Sequence, residues 1–251
     1  MDEHPAPEPA PGEEPLRILA IDVGGTGVKA AVLDAEGIML TERERAKTPH
    51  PTTQEGLLDT ILGVVERVKA TGFNRVSVGF PGVVRRGVIL TAPKLGTEEL
   101  CGYPLAQVLE ERLGCPTRLI NDADMQGLAA VRGHGVELVL TFGTGMGSAL
   151  FSEGQLGPHL ELSVHPFRKG ETYNDQLGND AFKKIGAEKW NSRVRKAIRT
   201  LRVLTTPDRI YVGGGNAKEI TFKLDDDTEI IDNTNGIKGG AWLWRQDVKP
   251  A

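Results

Sequence analysis

The stretch Ile18–Gly37, ILAIDVGGTGVKAAVLDAEG, constrains this chain more than any other. An apolar run fit for a buried strand stops at Asp22, passes through Gly24, Gly25 and Thr26, and resumes from Val28 to Leu33. The link is a tight turn, so the two runs form a hairpin rather than a strand and a helix. Glycine permits positive φ and lets backbone N–H groups approach an anion with no Cβ in the way. Thr26 adds a hydroxyl donor and Lys29 a nearby cation. Asp22, at the strand end, suits a magnesium shell held through water, since hard cations take oxygen ligands. The pattern recurs in VELVLTFGTGMGSALF, two strands around Gly143, Thr144 and Gly145. A third cluster, Gly213, Gly214 and Gly215, ends the strand RIYVGGG, where a nucleotide or an extended phosphate chain can lie. Neither of the first two loops carries the G-x-x-x-x-G-K-[ST] spacing of a P-loop. A Rossmann loop opens a helix, whereas SALF reads as a returning strand.

Between these loops the periodicity predicts further elements. IMLTERERAKT extends the hairpin as a third strand. TQEGLLDTILGVVERVKATG is a helix with Thr53 as N-cap and Gly72 as its stop. RVSVGFPG is a strand, YPLAQVLEERLG a helix, TRLIND a strand and ADMQGLAAVRGH a helix. One long basic helix follows over about 180–204. The N-terminal MDEHPAPEPAPGEEP is acidic and proline-rich and reads as a disordered tail, residues 1–15, without the features of a signal peptide. No stretch has the roughly 18 apolar residues of a membrane span. The net charge of -4 argues against nucleic acid as a partner of the whole chain. Cys101 and Cys115 lie far apart in no metal spacing, so reduced thiols in a cytoplasmic protein are expected, and no zinc.

Asn121 and Asp122 fall at a strand end just before a helix. A carboxylate there can take the proton of a sugar hydroxyl as its oxygen attacks phosphorus. It can equally cap the helix, and Asp124 suits that role as well.

The motifs IDVGGTGVKAAV, INDADMQGLA and LTFGTGMGSA, in this order, resemble the ROK branch of the actin-fold sugar kinases, and more narrowly its polyphosphate glucokinases. The resemblance spans about Leu16 to Trp244. It implies an α/β, actin-like ATPase (ribonuclease H-like) fold: two lobes, each a mixed sheet flanked by helices, here 16–118 and 119–251, with the last helix returning to the first lobe. It implies phosphate contacts at Asp22, Gly24, Gly25, Thr26, Lys29, Gly143, Thr144 and Gly145, and a purine or phosphate contact at Gly213–Gly215. It assigns the base to Asp122 and sugar contacts to Asn121, Asp122 and Glu161. Phosphoryl transfer from polyphosphate or ATP to a hexose, with Mg²⁺ and without zinc, follows as the expected activity, in a homodimer.

Two departures bear on the sugar. Where the family presents Glu-x-Gly-His to the sugar, this chain reads LELSVHPF, with Val164 at the histidine position, so either His165 takes the sugar contact after a one-residue shift or that contact is lost. Where the family commonly has a sugar-binding asparagine, this chain has Lys94, a donor-only cation that as a substrate-binding residue suits a different or anionic ligand, or else points to solvent. They leave a second reading open, a sugar or phosphosugar binder that kept the fold without efficient turnover. From Arg168 to Arg202 there are ten Lys and Arg against four acids. Trp190, Val194, Ile198 and Leu201 form one helical stripe, and Arg195, Arg199 and Arg202 share another face. Such a row suits polyphosphate, since arginine grips phosphate oxygens in bidentate fashion; most charge runs are simply solvated helix faces. Nucleic acid is a weaker candidate, because aromatics are only 5% and offer no stacking platform.

Overall fold

The structure, a computed structural model, describes residues 14–232 and 235–245; the expected tail lies outside the described residues except for Glu14 and Pro15. The apolar run after Arg17 becomes β1 (Ile18–Val23), buried along both faces as a central strand must be. It turns back as β2 (Val28–Leu33), antiparallel, with Asp22 opposite Lys29. The expected third strand shrinks to β3 (Glu44–Ala46), plus an isolated bridge from Leu33 to Met39. The charged run around it offers only partly buried or exposed side chains to the pleat. Next come α1 (Gln54–Val68), β4 (Arg75–Phe80), α2 (Leu105–Leu113), β5 (Thr117–Asn121) and α3 (Asp122–Leu128). Thr53 caps α1, its Oγ accepting from the Gly56 N–H at 3.0 Å, and a 3₁₀ turn after α1 ends at Gly72 with φ 72°. The sheet order is β3-β2-β1-β4-β5, with β1, β4 and β5 parallel.

A second sheet follows, built from β6 (Val136–Phe142), β7 (Met146–Ser152), β8 (Gln155–Leu156), β9 (Arg209–Gly213) and β10 (Thr228–Ile230). Its order, β8-β7-β6-β9-β10, repeats the first sheet's pattern of an antiparallel hairpin followed by two parallel strands. The expected single basic helix is two helices, α4 (Asn179–Ile185) and α5 (Ala187–Thr205). Gly186, at φ 77°, breaks the run between them, in the left-handed region that glycine tolerates. The apolar stripe of α5 (Trp190, Val194, Ile198, Leu201) is buried in the core of this sheet.

The chain divides into two compact units after Ala129 rather than at 118/119, because β5 pairs with β4 and so belongs to the first sheet. The final helix α6 (Asn235–Trp242) belongs with the first unit from Gly236 on; Ile237 and Ala241 pack on Ile18 and Ala20 of β1. The Gly240 carbonyl accepts from Ser77 Oγ at 2.7 Å.

The second unit opens on a buried carboxylate. Glu137, with no exposure, accepts from the N–H groups of Arg132 (2.7 Å) and Gly133 (2.8 Å) and from the Tyr211 hydroxyl (2.5 Å). These bonds hold 132–133 in a turn, one reason α3 stops before the helix expected from ADMQGLAAVRGH. Burial, and then the carboxylate it faces, push the Tyr211 phenol well above its ordinary range. Its contribution to stability is complete below about pH 10, the unfolded value, and is lost as pH rises further. Tyr211→Phe should cost about 1.5–3 kcal/mol in urea unfolding at neutral pH, as expected for a hydrogen bond to a charged group. It should also flatten the alkaline loss of stability. An unchanged urea midpoint would place the phenol outside this network.

Candidate active site

In the first unit, the carboxyl ends of the parallel strands gather the candidate residues. Asp22 is level with Gly79 of β4, and Gly79 with Ile120 of β5. Neighbouring strands are about 4.8 Å apart, so Asp22 and the Asn121–Asp122 pair share one sheet edge, two strand spacings apart. Ligands of open α/β sheets bind at such edges. Gly79 allows the close approach of α3: a Cβ there would stand 2.7 Å from Met125 Cε and 3.5 Å from Asp122 Cα.

The turn from Gly24 to Gly27 closes with the Gly24 N–H on the Gly27 carbonyl at 3.0 Å. The expected positive φ is not adopted at Gly24 or Gly25. Close backbone neighbours favour glycine here. A Cβ on Gly24 would lie 3.1 Å from the Gly27 oxygen, and one on Gly27 3.1 Å from the Ala46 oxygen as well as against the movable Arg45 side chain. The carbonyls of the turn are tethered by a segment the sequence reading passed over. Thr48 Oγ donates to Gly24 O (2.6 Å), His50 Nε2 to Gly25 O (2.9 Å) and Arg45 to Thr26 O (3.5 Å). The His50 nitrogen facing a carbonyl must be the protonated one. In a planar trans peptide the N–H points opposite its carbonyl. The amides of Gly25, Thr26 and Gly27 therefore point away from the side chains of 45–50 that hold the carbonyls, which leaves them available to an anion.

Charged groups surround this turn. Lys29 pairs with Asp22 at 2.8 Å. Lys94 is exposed, its Cβ 3.7 Å from where a Gly25 Cβ would be, which sets it beside the first glycine turn. Asn121 proves to be the N-cap of α3: its Oδ1 accepts from Ala123 N (2.8 Å) and Asp124 N (3.3 Å), and its Nδ2 donates to Gly82 O (3.1 Å). The capping role open to Asp122 or Asp124 is thus filled by Asn121. Asp124 is buried and Asp122 half-buried, with Asp122 Oδ1 accepting from Ala123 N at 2.9 Å.

In the second unit, Gly143–Gly145 and Gly213–Gly215 come together at the carboxyl ends of β6 and β9. Asn216 joins them, donating from its backbone N–H to Phe142 O (2.8 Å) and from its side chain to Gly143 O (3.4 Å). Gly143 donates to Gly145 O at 2.9 Å and accepts from the Asn179 N–H at 2.9 Å, while Thr144 is exposed. Gly214 does need its glycine: φ is 85°, and a Cβ would overlap the Phe142 backbone. Glu161 is bonded by Ser163 Oγ (2.5 Å) and lies 3.5 Å from His159 Nε2. The His159 bond, opposed by burial and aided by Ser163, holds its carboxyl below the usual range, so it is ionised at neutral pH. His165 is exposed, with Nδ1 on its neighbour's carbonyl, Pro166 O, at 2.9 Å. The histidine reaching Glu161 is therefore His159, not His165. The i, i+2 spacing of PHLEL in an extended segment was the available signal. On α5, Arg195 and Arg199 line one cavity, whereas Arg202 is ion-paired with Asp225 and Asp227.

Among the described residues, no group of three or more His, Cys, Asp or Glu is placed to hold a metal, and no helix is long and apolar enough to cross a membrane. Cys101 and Cys115 are free thiols.

The sequence model of the ROK family matches residues 18–158, which include the first glycine turn, Asp122 and the second glycine turn. The chain belongs to the ROK family. Across 237 residues it is 30% identical to the polyphosphate glucokinase of Mycobacterium tuberculosis, with 88% of each chain covered. Among solved structures it is similar to the inorganic polyphosphate/ATP-glucomannokinase of Arthrobacter sp. strain KM, with a TM-score of 0.82 and 30% identity over 92% of this chain and 100% of that one. A ROK glucokinase of Streptomyces griseus, in complex with glucose and AMPPNP, shares the fold at a TM-score of 0.72 and 20% identity, covering 90% of this chain and 98% of that one. The expected fold class, the actin-like ATPase fold with two mixed sheets flanked by helices, is therefore that of this ROK protein.

Proposed function

We propose that this chain is a glucokinase that transfers a phosphoryl group from inorganic polyphosphate or ATP to the 6-hydroxyl of glucose. One observation carries the reading: a turn with outward-facing amides and the Asn121–Asp122 pair stand on one carboxyl edge of one sheet. The extent of the similarity to a polyphosphate glucokinase and to a polyphosphate/ATP-glucomannokinase supports it.

Asp122 receives the proton of the attacking hydroxyl and aims its oxygen. Glu161, kept anionic by His159 and Ser163, accepts from a sugar hydroxyl. Asn121 uses Oδ1 on the helix and retains a second Nδ2 hydrogen for the sugar. The amides of Gly25–Gly27 and the glycine loops at 143–145 and 213–215 take phosphate oxygens, with Thr26 and Thr144 as hydroxyl donors. Lys94 and Lys29 add positive charge on the donor side. Asp22, paired with Lys29 in this structure, is the carboxylate that would hold Mg²⁺, an ion that keeps several waters and takes its other ligands from substrate phosphates. When bound, the ion neutralises charge on the donor phosphates. The protein is proposed to act in the cytoplasm, without zinc, as a homodimer.

A coupled assay for glucose 6-phosphate, run separately with polyphosphate and ATP against glucose and mannose, tests the proposal. Turnover with at least one donor is expected. Saturable glucose binding with no turnover from either donor would overturn it in favour of a sugar binder. Within that assay, Thr48→Val should raise the donor KM about three- to tenfold, the value of one hydrogen bond, and leave glucose KM unchanged. An equal rise in both KM values would mean general loosening of the site.

A further inference from the structure

Helix α5 lays Arg195, Ile198 and Arg199 along a cavity of about 230 Å³ whose other wall includes Phe222, Lys223 and Asp225. No glycine-turn residue lines it. The Arg195 guanidinium lies 4.6 Å over the Phe222 ring. Stacking fixes the plane of the guanidinium and leaves its edge donors available. One turn further on, Arg202 is bonded to Asp227, to Asp225 at 3.0 Å and to Thr228 Oγ at 3.0 Å. Asp225 and Asp227 are thus committed to Arg202, while Asp226 between them is exposed. Among the described residues, no carboxylate forms an ion pair with Arg195, Arg199 or Lys223.

Three unpaired cations around one small concavity repel one another, and like charges at i, i+4 weaken a helix. Stability does not explain the arrangement; an oxyanion between them does. The volume lies below the range of about 300–1,000 Å³ typical of drug-sized ligands. Arg195 already covers Phe222, which leaves no ring for a base to stack on. The chemistry therefore fits phosphoryl groups and not a nucleotide.

We propose that this cavity is a second phosphate site, separate from the glycine turns, which anchors a distal stretch of an inorganic polyphosphate chain. The inference rests on polyphosphate being a ligand of this protein. Anchoring at two points raises the effective concentration of the donor, so long chains gain over short ones.

Calorimetric titration of the full chain with long polyphosphate, triphosphate, orthophosphate and glucose 6-phosphate tests it. Long polyphosphate should bind more tightly than triphosphate. The double variant Arg195→Gln/Arg199→Gln should weaken long-chain binding by about tenfold or more and narrow the gap between chain lengths. Lys223→Gln, on the opposite wall, should do the same to a lesser degree, with both variants' melting temperatures monitored. Loss of glucose 6-phosphate binding in the variants, with polyphosphate binding intact, would make the site a product site and overturn the proposal. So would unchanged long-chain binding in both variants, or no polyphosphate binding by the parent. Long-chain binding that is lost in the variants, in a parent that fails to phosphorylate glucose, would uphold the anchor while the kinase reading falls.

Discussion

Asp122→Asn should lower kcat by about 10²–10⁴-fold, the usual contribution of a general base, with little change in melting temperature. The structure separates the two roles that the sequence leaves open. A helix-capping aspartate would be missed by the fold, but α3 is capped by Asn121, whose Oδ1 holds the N–H groups of both Ala123 and Asp124. Asp122 itself accepts from the Ala123 N–H, a bond that the amide oxygen of asparagine can also accept. What the substitution removes is negative charge and proton affinity at the sheet edge that carries the first glycine turn. Glucose KM should change little, because the loss falls on the transition state. A drop of several degrees in melting temperature with kcat retained would return Asp122 to a structural role.

The second large effect is expected where α6 packs on the first unit. Gly239→Val should destabilise the protein by about 3 kcal/mol or more, the upper end for overpacking, and should leave little folded protein. A Cβ on Gly239 would overlap the Met125 carbonyl oxygen of α3, and one on its neighbour Gly240 would lie 2.8 Å from Ala20 Cβ of β1. These contacts involve backbone and a short rigid side chain, so nothing nearby can yield cheaply. The urea midpoint of the variant, or its yield as soluble protein, reads the effect. A midpoint within experimental error of the parent would show that α6 docks elsewhere. Because α3 begins at Asp122, a variant that survives should also lose turnover, through displacement of the proposed base.

Much of this architecture was legible because local pattern and tertiary fate agree. The hairpin at Ile18–Leu33, the cap at Thr53 and the strand ending at Asn121 each carry their own signal: an apolar run, a capping residue, a turn. Where the signal is local but its cause lies elsewhere in the chain, the reading fails. The basic run looks like one helix because helical periodicity is blind to the φ of Gly186. The division between units looks earlier because pairing of β5 with β4 joins segments far apart in sequence. At the site, the glycine turns and Asp122 stand in the text, whereas the groups that hold them do not. Thr48 and His50 lie more than twenty residues from the carbonyls they bind. His159 precedes its glutamate, whereas a reading led by the family pattern looks after it. Arg202 shares a helical face with Arg195 and Arg199, and only the fold shows that acids from 225–227 single it out.

The return of α6 to β1 has a consequence for how the protein is made. The first unit is interrupted in sequence by the whole of the second, 130–235. A chain growing on the ribosome holds β1 to α3 long before the helix that covers β1 exists. Until Ile237 and Ala241 emerge, the face of Ile18 and Ala20 lacks its partner. The second unit, continuous in sequence, has no such wait. The unit that synthesis begins first is therefore the one it completes last, and early termination should leave a nascent first half open to chaperones and proteases.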